Sequence, residues 1–382
     1  MTDHPPRQDD APPRPAAPLR GSRALSTLIS GAVLIGMALG FGWLFRAATV
    51  PLPVAAVTPV SVAGFPGNGS NPLLVDAAWL AERLTQPDGS ENLVVLDLSD
   101  PRRYEAEHVP GAIHGWWQDT MSADAHVYGR RIQRPGGPFG YQELFRSLGV
   151  DSGSTVVVYD DDANRYAARL VWLLRFSGIE RAMVLDGGLA AWKGAGQPVS
   201  DNPAQAPDAA TVEATPRDEW VITTTELQER TDDPALLLLD TRSPAEATDD
   251  LNGTIRVGMI PGAVRIPWNE TVRDASGLLR PPDELAARLR AAGVTPEKEV
   301  VVYGRFGVES GQPWLVLTLL GYDKVRVYDE GWASWAAIER LPVEPLPAEF
   351  TVPPGTPIAH LSFLAAARND RWAVRTDRLA AG

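Results

Sequence analysis

VLDGGLAAW at residues 184–192 returns as VYDEGWASW at residues 327–335, 143 positions further on. Working outward from this pair, LVVLD at 93–97 answers LLLLD at 236–240 with the same offset. VVVY at 156–159 answers VVVY at 300–303, offset by 144, and VPGAI at 109–113 answers IPGAV at 260–264, offset by 151. Four blocks in one order at nearly constant spacing mark a duplicated unit. The apolar runs 93–96, 156–159, 236–239 and 300–303 are rich in Val and Leu without alternation, as strands buried on both faces are. Helical stretches at 167–176 and 282–292 separate them. Strand and helix in alternation predict an α/β fold of two tandem domains, each a parallel sheet flanked by helices.

The chain carries 48 acidic against 35 basic side chains, a formal charge of −13. That balance argues against nucleic acid as a partner, since phosphate binding needs Lys and Arg in excess. There is no cysteine, which excludes disulfides, thiolate metal sites and a thiol nucleophile together. Residues 1–23 are polar and Pro-rich and read as a disordered cytoplasmic tail. Residues 24–45, ALSTLISGAVLIGMALGFGWLF, hold no charge over 22 positions. At about 1.5 Å per residue they can cross a hydrocarbon core of roughly 30 Å, and they exceed the apolar region of about 7 to 15 residues in a cleaved signal. A single transmembrane helix is therefore expected. Arg20 and Arg23 precede it, and only Arg46 follows before Arg83. The positive-inside rule then keeps the N-terminus inside a cytoplasmic (inner) membrane and delivers both domains to the periplasmic, extracytoplasmic side.

Within that span Ala32, Gly36 and Gly40 lie four apart. Such a stripe lets another helix backbone approach, so Gly36 and Gly40 are the candidate contact with an integral-membrane partner; the plainer reading is ordinary membrane composition. The remaining divisions are a linker at 46–71, a first domain at 72–199, a linker at 200–218, a second domain at 219–345 and a C-terminal extension at 346–382. The segment 46–71, rich in Val, Pro, Ala and Gly, reads as a spacer. Asp160, Asp161 and Asp162 with Asn164 lack the rest of a calcium-loop pattern and read as solvated carboxylates. No metal or cofactor is called for.

These residues resemble the tandem rhodanese family, which includes thiosulfate and 3-mercaptopyruvate sulfurtransferases. LDLSDPRRYEAEHVPGAI at 96–113 and VVVYDDDANRYAARLVWLLRFSG at 156–178 look like its first domain. MIPGAVRIPWNE at 259–270, PPDELAARLRAAGV at 281–294, VVVYG at 300–304 and VRVYDEGWASW at 325–335 look like its second. The resemblance implies that the second domain's active loop follows the VVxY strand and begins with a cysteine. That thiolate takes up sulfur as a persulfide inside a ring of backbone N–H groups, which stabilise its charge.

Here the loop reads Gly304, Arg305, Phe306, Gly307, Val308, Glu309, so the nucleophile position has no side chain; its first-domain equivalent is Asp160. Where the family places an anion-binding Arg this sequence has Glu246, followed by Ala247, and the His of the usual GHIPGA is Met259, while Arg256 and Gly258 persist. By resemblance, then, no catalytic residue remains. Glu246 and Glu309 oppose an anionic donor, each by on the order of 1 kcal/mol or more. The leading expectation is a membrane-anchored, non-catalytic rhodanese-like protein that serves as an interaction or assembly subunit. Two alternatives are kept. One is an anion- or sulfur-compound-binding protein that uses the loop N–H groups with Arg305 and Arg256 as counter-charges. The other is a sulfurtransferase by homology that borrows a partner's thiol.

Overall fold

The computed structural model describes residues 64–67, 72–85, 92–120, 126–127, 130–131, 138–206, 212–249, 255–273 and 277–348. The expected membrane segment 24–45, with Gly36 and Gly40, lies outside them, as does the chain from 349 onward. Among the described residues no helix is long and apolar enough to cross a membrane.

The first domain runs β1 (Leu74–Val75), α1 (Ala77–Thr85), β2 (Leu93–Asp97), α2 (Pro101–Ala106), β3 (Ile113–His114), the short antiparallel pair β4 (His126–Val127) and β5 (Arg130–Arg131), α3 (Pro138–Ser147), β6 (Thr155–Tyr159), α4 (Arg165–Phe176), β7 (Ala182–Leu185) and α5 (Gly188–Gly194). Its main sheet is wholly parallel in the order β1-β7-β6-β2-β3. The second domain repeats the plan with α6 (Thr224–Glu229), β8 (Leu236–Asp240), α7 (Pro244–Thr248), β9 (Val264–Arg265), α8 (Pro282–Ala291), β10 (Glu299–Tyr303), α9 (Gly311–Leu319), β11 (Val325–Val327) and α10 (Gly331–Ala337). Its order is β11-β10-β8-β9, and Val221 bridges β11 where β1 pairs β7 in the first copy.

The duplicated sequence blocks do the same work twice. The hydroxyl of Tyr159 accepts from Val109 N at 2.9 Å, and that of Tyr303 accepts from Ile260 N at 3.3 Å. Trp192 Nε1 donates to Pro198 O at 2.7 Å, and Trp335 Nε1 donates to Pro342 O at 2.8 Å. Strands β6 and β10 are buried beyond their first residue, as runs without polar alternation must be.

The helix that follows each of these strands lies at the seam between the domains. Every residue of α4 after Arg165 is buried, and so is every residue of α9 except Thr318, because neither helix keeps a wet face. Gly311, at the start of α9, sits so near α4 that an added Cβ would lie 2.6 Å from Arg169 Cα. Only glycine permits that approach. The main apolar cluster accordingly includes residues of both domains, among them Trp172 and Leu174 from one and Trp314 and Leu317 from the other.

The linker at 46–71 is not free spacer throughout. Phe65 is 3% exposed and belongs to the main apolar cluster. Gly67 N donates to Leu319 O at 2.7 Å, at the carboxyl end of α9, where a helix leaves carbonyls without intrahelical partners. A Cβ at position 67 would fall 2.0 Å from Thr318 O, so the contact requires glycine.

Candidate functional site

The loop after β10 turns its N–H groups inward, and what they hold is a side chain of the loop itself. Glu309 Oε2 accepts from Arg305 N at 2.8 Å and from Phe306 N at 3.3 Å. The carbonyls of Gly304 and Arg305 point the other way and accept from Trp332 N at 2.9 Å and Ala333 N at 3.0 Å, the first turn of α10. Gly307 makes the turn at φ +82, where a Cβ would meet Asp329 O at 2.5 Å. Glu309 is 6% exposed and sits in the one-turn helix Val308–Ser310, which aims its side chain back along the loop. A Cβ built on Gly304 would lie 2.4 Å from Glu309 Oε2 and 2.7 Å from Glu309 Cβ. The carboxylate therefore occupies the room a side chain at 304 would need.

Glu246 is likewise committed. Its N-terminal helix position gives a capping box with Ser243, whose N–H donates to Glu246 Oε2 at 2.7 Å while Glu246 N donates to Ser243 Oγ at 3.3 Å. Trp268 Nε1 donates to the same carboxylate at 3.1 Å. From the first domain, Arg165 Nη1 reaches across to Glu246 Oε1 at 2.9 Å. That guanidinium lies 4.6 Å from the ring centroids of both Tyr166 and Trp268, and it also pairs with Asp162. The Arg165 and Glu246 side chains are 16% and 14% exposed. Burial raises the Glu246 pKa, the charge of Glu309 adds to the rise, and Arg165 opposes it. Burial works against the charge of Arg165, but Tyr166, Asp162 and Glu246 outweigh it and raise its pKa. Each of the two carboxylates thus has donors of its own, and Glu309 holds the very N–H groups an anionic donor would need.

The two arginines expected as counter-charges are placed elsewhere. Arg305 is buried with its guanidinium on Asp249, at 2.6 Å. Arg256 donates to the carbonyls of Trp335, Ala336, Ile338 and Leu341 at 2.8 to 3.3 Å, which satisfies the carboxyl end of α10 and the turn beyond it. Both guanidinium groups thus pair with acceptors other than Glu309, on which the loop N–H groups converge. Met259 is buried and pairs in both directions with the backbone of Glu344 at 2.9 Å.

With this geometry in place, the comparisons with known proteins decide the family. The rhodanese-like domain family matches residues 76–195 and again 223–338, more than half of the chain. The chain belongs to the rhodanese-like family. It is 33% identical over 275 residues to a thiosulfate sulfurtransferase of Azotobacter vinelandii, covering 72% of this chain and 98% of the relative. It is 30% identical over 285 residues to a 3-mercaptopyruvate sulfurtransferase of Escherichia coli O157:H7, covering 71% and 98%. Among solved structures, an anaerobic ergothioneine biosynthesis enzyme from Chlorobium limicola superposes with a TM-score of 0.61 at 24% identity, over 72% of this chain and 71% of that one; this is a likeness of fold.

The first rhodanese-like domain fills its equivalent loop in a different way. Asp160 is 4% exposed, so it is not one of the solvated carboxylates the acidic triplet suggested. Its Oδ1 accepts from Asp162 N and Asn164 N, and its Oδ2 from Tyr166 N and Ala167 N, all at 2.8 to 2.9 Å. Burial raises the Asp160 pKa, yet all four partners are donors, and only the ionised form offers each of them an acceptor. Asp161 and Asp162 pair with Arg103 and Arg165. The loop then meets the second domain. Gln312 Nε2 donates to Ala163 O at 2.7 Å, Asn164 Nδ2 donates to Gly277 O at 2.7 Å, and Asp186 Oδ1 accepts from Leu279 N at 3.0 Å.

Sequence reasoning passed over Arg165 and did not see where Glu309 points. The Ser243-x-x-Glu246 spacing was a readable signal for Glu246 as a capping residue. The Asp162-x-x-Arg165 spacing marks only a local ion pair, and nothing local marks the reach of Arg165 to Glu246, 81 positions away.

Proposed function

We propose that this rhodanese-like chain does not transfer sulfur. We infer that it is an interaction or assembly subunit, tethered through residues 24–45 to a cytoplasmic membrane with both domains on the extracytoplasmic side. One observation carries the loss of catalysis: the nucleophile position is Gly304, in a chain without cysteine, and Glu309 takes both its room and its N–H donors. A persulfide needs a thiolate, and no other side chain present can hold sulfane sulfur. The fold has meanwhile kept its shared core and its paired hydrogen bonds, which is what selection for a binding surface would preserve. The tether and the integral-membrane partner rest on the uncharged span, its flanking arginines, and Gly36 and Gly40.

The purified intact chain, given thiosulfate and cyanide, should release thiocyanate no faster than the uncatalysed mixture. Turnover at even a small fraction of an authentic relative's rate would sink this reading. Likewise, protease added to sealed cells should digest both domains, and domains shielded from it would overturn the orientation. The named activities of the curated relatives favour a second reading, sulfur transfer with a thiol lent by another protein. Thiocyanate release that appears only on adding a thiol-bearing protein would establish it.

A further inference from the structure

We propose that Gly304 and Glu309 form one paired replacement, in which the Glu309 carboxylate is the resident anion of the second domain's N–H cradle. This rests on the non-catalytic reading of the same loop and says what took over the nucleophile's place. The loop's shape turns the buried N–H groups of Arg305 and Phe306 toward a single point, and groups so aimed need an acceptor. Glu309 Oε2 is at that point. A Cβ on residue 304 would stand 2.4 Å from the same oxygen and 2.7 Å from Glu309 Cβ, which cannot swing away as the carboxylate can, so the cradle admits a side chain from 304 or from 309 but not both. The first domain shows the other solution: Asp160, the loop's first residue, satisfies the N–H groups of its own loop from within. Both loops thus hold a carboxylate in the place of a bound anion, one supplied from the first position and one from the sixth.

The consequence is a reversal of sign between mutations at the two positions, which a merely structural glutamate would not show. In the intact chain, Glu309→Gly should lower the unfolding temperature, because two buried donors lose their acceptor. Gly304→Asp alone should also lower it, because two carboxylates then compete for one cradle. The double variant Gly304→Asp/Glu309→Gly, which also removes the Cβ that would stand 2.7 Å from the new one, copies the first domain's arrangement and should be more stable than either single variant. Should Glu309→Gly fail to fold, recovery of folded protein in the double variant carries the same result. Single effects that add in the double variant, or a double variant that also fails to fold, would overturn the pairing.

A cysteine version reads out the charge. With Glu309 in place, Gly304→Cys should titrate at or above the ordinary thiol range. In Gly304→Cys/Glu309→Gly the emptied cradle should lower the thiol pKa enough to raise the thiolate fraction at neutral pH about tenfold, measured by thiolate absorbance. That thiolate can attack the outer sulfur of thiosulfate, forming a new S–S bond as the old one breaks and sulfite leaves with the electron pair. Equal thiol pKa values in the two variants would count against the cradle. None of these results depends on whether the wild-type chain turns over, which the thiocyanate assay decides separately.

Discussion

Asp160→Ala should reduce the unfolding free energy of the intact protein by about 3 kcal/mol or more, because a buried donor without a partner costs roughly 1 to 3 kcal/mol and four would be left. Water entering the space would recover part of this, which is why the expected loss is less than the sum. The carboxylate also restrains backbone that would not otherwise stay where it is. Ala163 and Asn164 hold φ values of +58 and +67, a region that disfavours a side chain, most of all one like alanine's that cannot hydrogen-bond locally. Those two residues make the seam contacts to Gln312 and Gly277. A relaxed loop therefore loosens the second domain as well. Asp160→Asn keeps one acceptor oxygen and turns an amide N–H toward donors, so it should fall between wild type and Asp160→Ala. Denaturant unfolding measures both. An Asp160→Ala midpoint within about 1 kcal/mol of wild type would mean the N–H groups are satisfied in some other way.

Charge reversal at the domain seam should have an effect of similar size. Glu246→Arg restores the residue type that the resemblance places there, yet it sets a second guanidinium against Arg165 where a 2.9 Å ion pair stood. Breaking a largely buried pair costs about 3 to 5 kcal/mol, and the remaining exposure of both side chains puts this site at the lower end. Arg165→Glu should be comparably harmful, since Asp162 and Glu246 would then face a third carboxylate. Combining the two reversals should regain at least about 1.5 kcal/mol of the summed loss, measured as the coupling in a double-mutant cycle. Additive losses would show that Arg165 is held by Tyr166, Trp268 and Asp162 alone. The same geometry explains why reverting toward the family's residues one at a time should not rebuild an anion site.

How far the sequence could be read depended on the range of the contact. The strands β2, β6, β8 and β10 were legible to within a residue or so because unbroken Val and Leu runs have few other uses. The helices at 167–176 and 282–292 were found with similar margins, against Arg165–Phe176 and Pro282–Ala291 in the structure. Loss of the nucleophile was visible at Gly304 once the resemblance had aligned the loop. The refilling of the cradle was not. It requires knowing that the turn Val308–Ser310 folds Glu309 back over position 304, a matter of backbone direction and not of spacing. Asp160 was misjudged for a related reason: an acidic triplet normally faces water, and only the inward turn of four N–H groups removes it from solvent. Arg256 was assigned by its neighbours in the motif, whereas its length carries its donors to the end of α10.

The seat of Gly67 on α9 has a mechanical consequence. The chain is fastened to the second domain, through Gly67 and the carboxyl end of α9, before it enters β1 of the first. Tension from the N-terminal side is therefore delivered to the later-encoded domain, and the first hangs as a loop outside the path of the force. Pulling on the chain would have to peel the Gly67 contact from Leu319 before the first domain felt any strain.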